Sequence, residues 1–151
     1  MSDTRLIFGE SLHRLMHAYQ RAMREGFHAH DIDLTVAQVR VLKGVAAADA
    51  PTVQSVAARM DSDRSQVTRA VAQLREQGLV IQRDNPADRR RPLLAITPSG
   101  HDRLARVIDI QAAAGQRMAG GLTDTDVARF VAIADQMTDA LHLGDGAVLD
   151  G

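Results

Sequence analysis

The chain of 151 residues contains no cysteine, no tryptophan, one tyrosine and three phenylalanines. The missing cysteine excludes disulfides, thiol redox switching, thiolate metal sites and cysteine nucleophiles. An aromatic content of 3% leaves no stacking platform of the kind that holds single-stranded nucleic acid. No stretch approaches the ~18 apolar residues of a membrane span, and the segment after Met1 is amphipathic rather than a leader's apolar core. These absences fit an intracellular protein of the reducing cytoplasm. There is also no Gly-rich phosphate loop, no GxSxG and no HExxH, so no enzyme and no cofactor is expected.

A strong charge of one sign is missing as well. The net charge is −1, which excludes a wholly basic nucleic-acid coat. What is present is 45% hydrophobic residues, enough for one domain with a packed core over residues 1–151. The basic residues are 17 arginines and the single Lys43, and the acidic ones are 16 aspartates and three glutamates.

Apolar periodicity divides the chain. Leu12, Leu15, Met16, Tyr19 and Met23 form a helical stripe within residues 6–30. Thr35 caps a second helix that buries Val39, Leu42 and Val45, and Thr52 caps a short third one. After Asp61-Ser62-Asp63, with Ser62 as the expected cap, Val67, Ala70, Val71 and Leu74 mark a fourth helix that stops at Gly78. Two short branched-apolar runs, 79–83 and 93–96, read as a hairpin with a long charged tip. Thr97-Pro98 opens a fifth helix and Thr123 to Asp126 caps a sixth; residues 144–151 lack any period and read as a flexible tail.

The predicted fold is therefore mainly α with a small β-hairpin wing: a winged helix-turn-helix at 31–97, flanked by helices at 6–30 and 98–143. The apolar stripes on those outer helices call for a second copy, hence a homodimer.

Charge is distributed unevenly along this plan. Residues 59–91 carry eight arginines against five acids, whereas residues 120–151 carry one arginine against six aspartates. The basic excess falls on the fourth helix and the hairpin, the two elements that would meet a duplex. The fourth helix exposes Arg64, Ser65, Thr68, Arg69, Ala72 and Arg75 on the side away from its apolar residues. Such a helix fits the major groove, where each bidentate Arg–guanine pair contributes roughly 1–3 kcal/mol of discrimination. At the hairpin tip Arg89, Arg90 and Arg91 stand together, suited to the narrow, negative minor groove. Asp88 is assigned to orienting a neighbouring arginine by a charge-assisted hydrogen bond.

Leu34-Thr35 with Gln38 and Leu42, Ser65-Gln66-Val67-Thr68-Arg69, Leu74 to Val80, Asp84 to Arg90 and Ile96 to Gly100 together resemble the MarR family of dimeric winged-helix regulators. The resemblance implies a homodimer built on the first, fifth and sixth helices and a palindromic double-stranded operator. It implies Arg90, then Arg89, in the minor groove, with Ser65, Thr68 and Arg69 on the recognition helix and Gln38 as a phosphate contact. It further implies a repressor of neighbouring genes released by a small phenolic or carboxylated effector. Arg14, His17, Tyr19 and Arg21 are the residues assigned to that effector, a cation pairing with an aromatic carboxylate. Lacking cysteine, the chain departs from the thiol-switched branch of the family; lacking tryptophan, it departs from the urate-responsive branch.

Two other functions compete. His13 and His17, four apart, have the spacing of a shared metal, with His28, His30, Asp31 or His101 as further ligands of a metal-responsive regulator. Surface or interface histidines are the plainer reading, and no metal is assigned. A winged helix that binds protein would use the same fold without the basic wing.

Overall fold

The computed structural model describes residues 2–145. The elements run α1 (Ser2–Ala29), α2 (Val36–Ala47), α3 (Val53–Met60), α4 (Arg64–Glu76), β1 (Val80–Arg83), β2 (Leu93–Ile96), α5 (Pro98–Ala119) and α6 (Asp124–Asp145). The winged helix-turn-helix order of the sequence reading is the order observed.

Local chemistry sets most of the boundaries. At Thr35 and Thr52 a full capping box forms: the threonine hydroxyl accepts from the backbone N–H of Gln38 or Ser55, and that residue's side chain accepts from the cap's own N–H. Gly78, at φ +71°, lets α4 end in a Schellman turn. There Gly78 N–H donates to Arg75 O and Leu79 N–H to Leu74 O. Asp31 and Asp61 take the same left-handed conformation after α1 and α3, a role that aspartate fills more readily than most non-glycine residues.

The ends of the chain's helical plan differ from the sequence reading. Helix α1 begins earlier, at Ser2, with Asp3 in its first turn to complement the helix dipole. Helix α6 runs through Asp145, two residues into the expected tail; the remainder of that tail, 146–151, lies outside the described residues.

By contacts the chain forms two compact units, Met1–Ala112 and Ala113–Gly151, with the division falling inside α5. The first unit holds a core of Val39, Val41, Leu42 and Val45 from α2, Val56 and Ala57 from α3, and Val67, Ala70, Val71 and Leu74 from α4. Leu79, Val80 and Leu94 of the hairpin region join them, and Leu104, Val107 and Ile110 are buried on α5. Helix α1 meets α5 where Gly26 faces Ile110; a Cβ at Gly26 would lie 2.5 Å from Ile110 Cγ2.

The two strands pair antiparallel, with Val80 opposite Ile96 and Arg83 opposite Leu93. Thr97 ties the hairpin to the end of α4: its hydroxyl donates to Gly78 O at 2.6 Å and accepts from Gly100 N–H at 3.0 Å. Gly100 is required there because a Cβ would run into the Leu79 carbonyl. On the outer helices the apolar stripe is largely uncovered. Leu6, Ile7, Phe8, Leu12, Leu15 and Met16 of α1 are exposed, as are Phe130, Val131, Ile133 and Leu141 of α6.

Candidate nucleic-acid interface

Helix α4 presents its polar side outward because its apolar residues recur at 0, 3, 4 and 7 from Val67, and all four are buried. Arg64, Ser65, Thr68, Arg69, Ala72 and Arg75 are exposed. At about 100° per residue they fan across roughly 140° of the helix.

The cap of α4 corrects the sequence reading. Asp63, not Ser62, is the N-cap. Its carboxylate accepts from Ser65 N–H at 3.1 Å and from the Ser65 hydroxyl at 2.9 Å. Ser62 instead donates to the Met60 carbonyl. The Ser65 amide, then its hydroxyl, hold the Asp63 carboxyl below the usual aspartate range, with the Arg69 charge adding to them. Ser65 therefore spends its proton inside the protein and keeps its exposed hydroxyl oxygen as an acceptor. The Thr68 hydroxyl likewise donates to Arg64 O at 2.9 Å.

The wing is a turn built by two side chains. Asn85 accepts from Ala87 N–H at 3.1 Å and donates to Arg91 O at 2.8 Å, closing the tip. Asp88 accepts from the backbone N–H of Arg90 at 3.0 Å, and its other oxygen lies 3.6 Å from Arg91 Nε. The arginine beside Asp88 is thus Arg91. Arg89 and Arg90 are exposed, and neither is in an ion pair with a carboxylate among the described residues.

Helix α4 and the wing come together in a cleft lined by Thr52, Val53, Gln54, Arg64, Thr68, Arg90, Arg91 and Pro92. The fold makes this cleft because Leu94 N–H donates to Pro51 O at 2.7 Å, which pins the wing's second strand beside the start of α3. Three arginines and the N-terminal turn of α3 line one opening with no carboxylate residue in its lining, Asp88 standing outside it beside Arg91, an arrangement suited to an anion. The sequence reading singled out the arginines and Thr68 but neither the α3 residues nor Asn85. The Asn85-Pro86 pair was the available signal for Asn85; the α3 contribution depends on a long-range strand contact.

Gln38, assigned to a phosphate contact, turns its side chain inward. It is 6% exposed, the one buried polar side chain among the described residues. Its Oε1 accepts from Thr35 N–H at 2.9 Å and its Nε2 donates to Gln73 Oε1 at 2.7 Å, so the amide is committed inside the lobe.

The residues assigned to the effector do not converge. Arg14 reaches Ser11 at 3.4 Å and Arg21 pairs with Glu25 at 2.9 Å, both exposed. His17 stacks on His13 with ring centroids 6.0 Å apart. These three share one face of α1, and half-buried Tyr19 lies about 140–160° around it. The recess at the corner between α1 and α2 is lined by other residues, Phe27, His28, Asp31, Ile32 and Asp33. Among the described residues no three histidines or carboxylates gather as metal ligands, and no helix is long and apolar enough to cross a membrane.

Comparison with known proteins bears on this geometry. Residues 32–91, which include α2, α3, α4 and the wing as far as Arg91, match the MarR family. Over those residues the winged-helix lobe is similar to MarR-family proteins. Over 83 residues the chain is 32% identical to the Thauera aromatica protein named for transcriptional regulation of the hcr operon, covering 55% of this chain and half the length of that relative. In structure it is similar to the PcaV transcriptional regulator of Streptomyces coelicolor, solved with its natural ligand: TM-score 0.74, 25% identity, 88% of this chain and 92% of that one. It is also similar to BpsR of Bordetella bronchiseptica, whose DNA binding is regulated by 6-hydroxynicotinic acid: TM-score 0.69, 27% identity, 84% and 91% coverage. The likeness to these two therefore extends beyond the MarR lobe into the flanking helices.

Proposed function

We propose that this chain is a double-stranded-DNA-binding transcriptional regulator that acts as a homodimer on a palindromic operator, most simply as a repressor released by a small effector. The observation that carries the reading is the acid-free cleft that joins Arg64 and Thr68 of the recognition helix to Arg90 and Arg91 of the wing. In this reading Arg64, Ser65, Thr68, Arg69 and Arg75 meet the major groove and the backbone beside it, and Arg89, Arg90 and Arg91 reach the minor groove. Asp88 and Asn85 hold the wing tip in shape. The exposed apolar residues of α1, and separately those of α6, support dimerisation, since exposed apolar surface marks association.

For the effector, the 6-hydroxynicotinic acid of BpsR supports a hydroxylated aromatic carboxylate. Arg14 and Arg21 are the α1 cations assigned to its carboxylate, Arg21 by exchanging its ion pair with Glu25. A metal-responsive regulator using His13 and His17 is the alternative reading.

Binding to a duplex selected by the protein from a random library, followed by fluorescence anisotropy across a salt series, tests the reading. Affinity should fall linearly on a log–log plot as phosphate contacts release counterions. Absence of binding at low salt would favour a protein-binding winged helix instead.

A further inference from the structure

We infer that Gln38 and Gln73 form a positioning tether that sets the rotation of the recognition helix about its own axis, and so the aim of the arginines it presents to DNA. The inference rests on the DNA-binding reading and adds to it residues that touch no DNA.

The packing of α4 is apolar: Val67, Ala70, Val71 and Leu74 lie against their neighbours, and such contacts are non-directional. They hold the helix down without strongly fixing how far it rolls. The other side-chain hydrogen bonds of its first turns, from Ser65 to Asp63 and from Thr68 to Arg64, are local. The bond from Gln38 Nε2 to Gln73 Oε1, at 2.7 Å across 35 residues of sequence, joins α4 to the start of α2.

Its polarity is fixed from the α2 end. Thr35 N–H requires an acceptor and takes Gln38 Oε1 at 2.9 Å, which leaves only the Gln38 amide nitrogen to face α4. Gln73 must then answer with its oxygen. One capping box thereby orients a side chain on another helix. Gln73 lies one turn after Arg69 and about 40° around the helix from it, on the flank between the buried residues and the exposed fan. With side chains included a helix is about 10–12 Å across, so a roll of roughly 20° moves its rim by about 2 Å, enough to break a bidentate contact to a base edge. The tether should therefore matter most for base discrimination and least for phosphate attraction, which tolerates such shifts.

The test uses the full-length protein, a duplex selected by the wild type from a random library, and a scrambled duplex of equal length. Gln73 is exposed, so Gln73→Leu leaves the fold intact while removing the acceptor. The expected result is a fall of about tenfold or more in the selected-to-scrambled affinity ratio, with scrambled-duplex affinity unchanged and a melting temperature lowered only by the unpaired Gln38 amide. Conservative variants give a second readout. Gln38→Glu keeps the capping box and can accept from a turned Gln73 amide, and Gln73→Glu can still accept from Gln38, so each should retain the ratio. Gln38→Glu combined with Gln73→Glu sets two acceptors against each other and should lose it beyond the product of the single effects. An unchanged ratio in Gln73→Leu, or a double variant equal to the product of the singles, overturns the tether. A wild type with no affinity for either duplex overturns the DNA-binding reading itself.

Discussion

At the residue scale, single polar atoms decide what each candidate can offer. Asp63 spends both oxygens on Ser65, and its carboxyl is held below the aspartate range by those bonds. A carboxyl whose pKa is lower folded than unfolded contributes stability above its unfolded pKa of about 3.9, and that contribution is lost as pH falls through the folded value. Asp126 behaves alike at the start of α6, where Thr123 N–H and then its hydroxyl lower the pKa. Thermal melts should therefore show Asp63→Asn less stable than wild type near neutrality, with the gap closing below about pH 4. A gap that stays constant to low pH would contradict the cap's charge dependence. The sequence placed this cap one residue early because Ser62 and Asp63 are both good cap formers, and only the backbone conformation distinguishes them. The burial of Gln38 was illegible for another reason. Its partner is 35 residues away, and no local pattern reports that a side chain near a helix start is buried.

At the scale of elements, helices with a cap, an apolar face and a stop signal were legible from the sequence, and α2, α3, α4 and the wing stand within one residue of where those signals put them. Close approaches between elements were not. Gly100 reads as an ordinary helix residue, yet it lets α5 pass against the Leu79 carbonyl. Gly100→Ala should lower the denaturation midpoint and disturb the wing, since the Thr97 bonds to Gly78 and Gly100 share that junction. Leu74, fully buried on α4, has a more calculable role. Leu74→Ala should cost about 2–5 kcal/mol of unfolding free energy, read from urea titration with an unchanged slope; a cost under about 1 kcal/mol would mean the α4 face packs loosely. The wing tip was legible as a charged turn, but the Asn85 bonds that shape it depend on both sides of the loop.

At the scale of the whole molecule, a net charge of −1 conceals a basic stretch over residues 59–91 and an acidic one over residues 120–151. The exposed apolar stripes of α1 and α6 lead to the expectation that light scattering gives the mass of a dimer, and that Leu12→Glu with Phe130→Glu gives a monomer with much weaker operator affinity. A wild-type monomer that binds one duplex tightly would contradict the palindromic reading. The effector site was the least legible part. The α1 residues chosen from sequence share a chemistry, cation plus aromatic, but Tyr19 points away from the face that carries Arg14, His17 and Arg21. Periodicity places a stripe on a helix without saying what covers it.

The central claim is that recognition helix and wing act on DNA as one surface, and Arg90 is the residue on which that surface most depends. It lines the cleft with Arg64 and Thr68, is exposed, and contributes its backbone N–H rather than its guanidinium to the Asp88 turn. Measured by anisotropy on the selected duplex at fixed salt, Arg90→Ala should bind about tenfold or more weakly, roughly 1.4 kcal/mol, with melting temperature unchanged. Wild-type affinity in that variant would remove the wing from the interface and contradict the account.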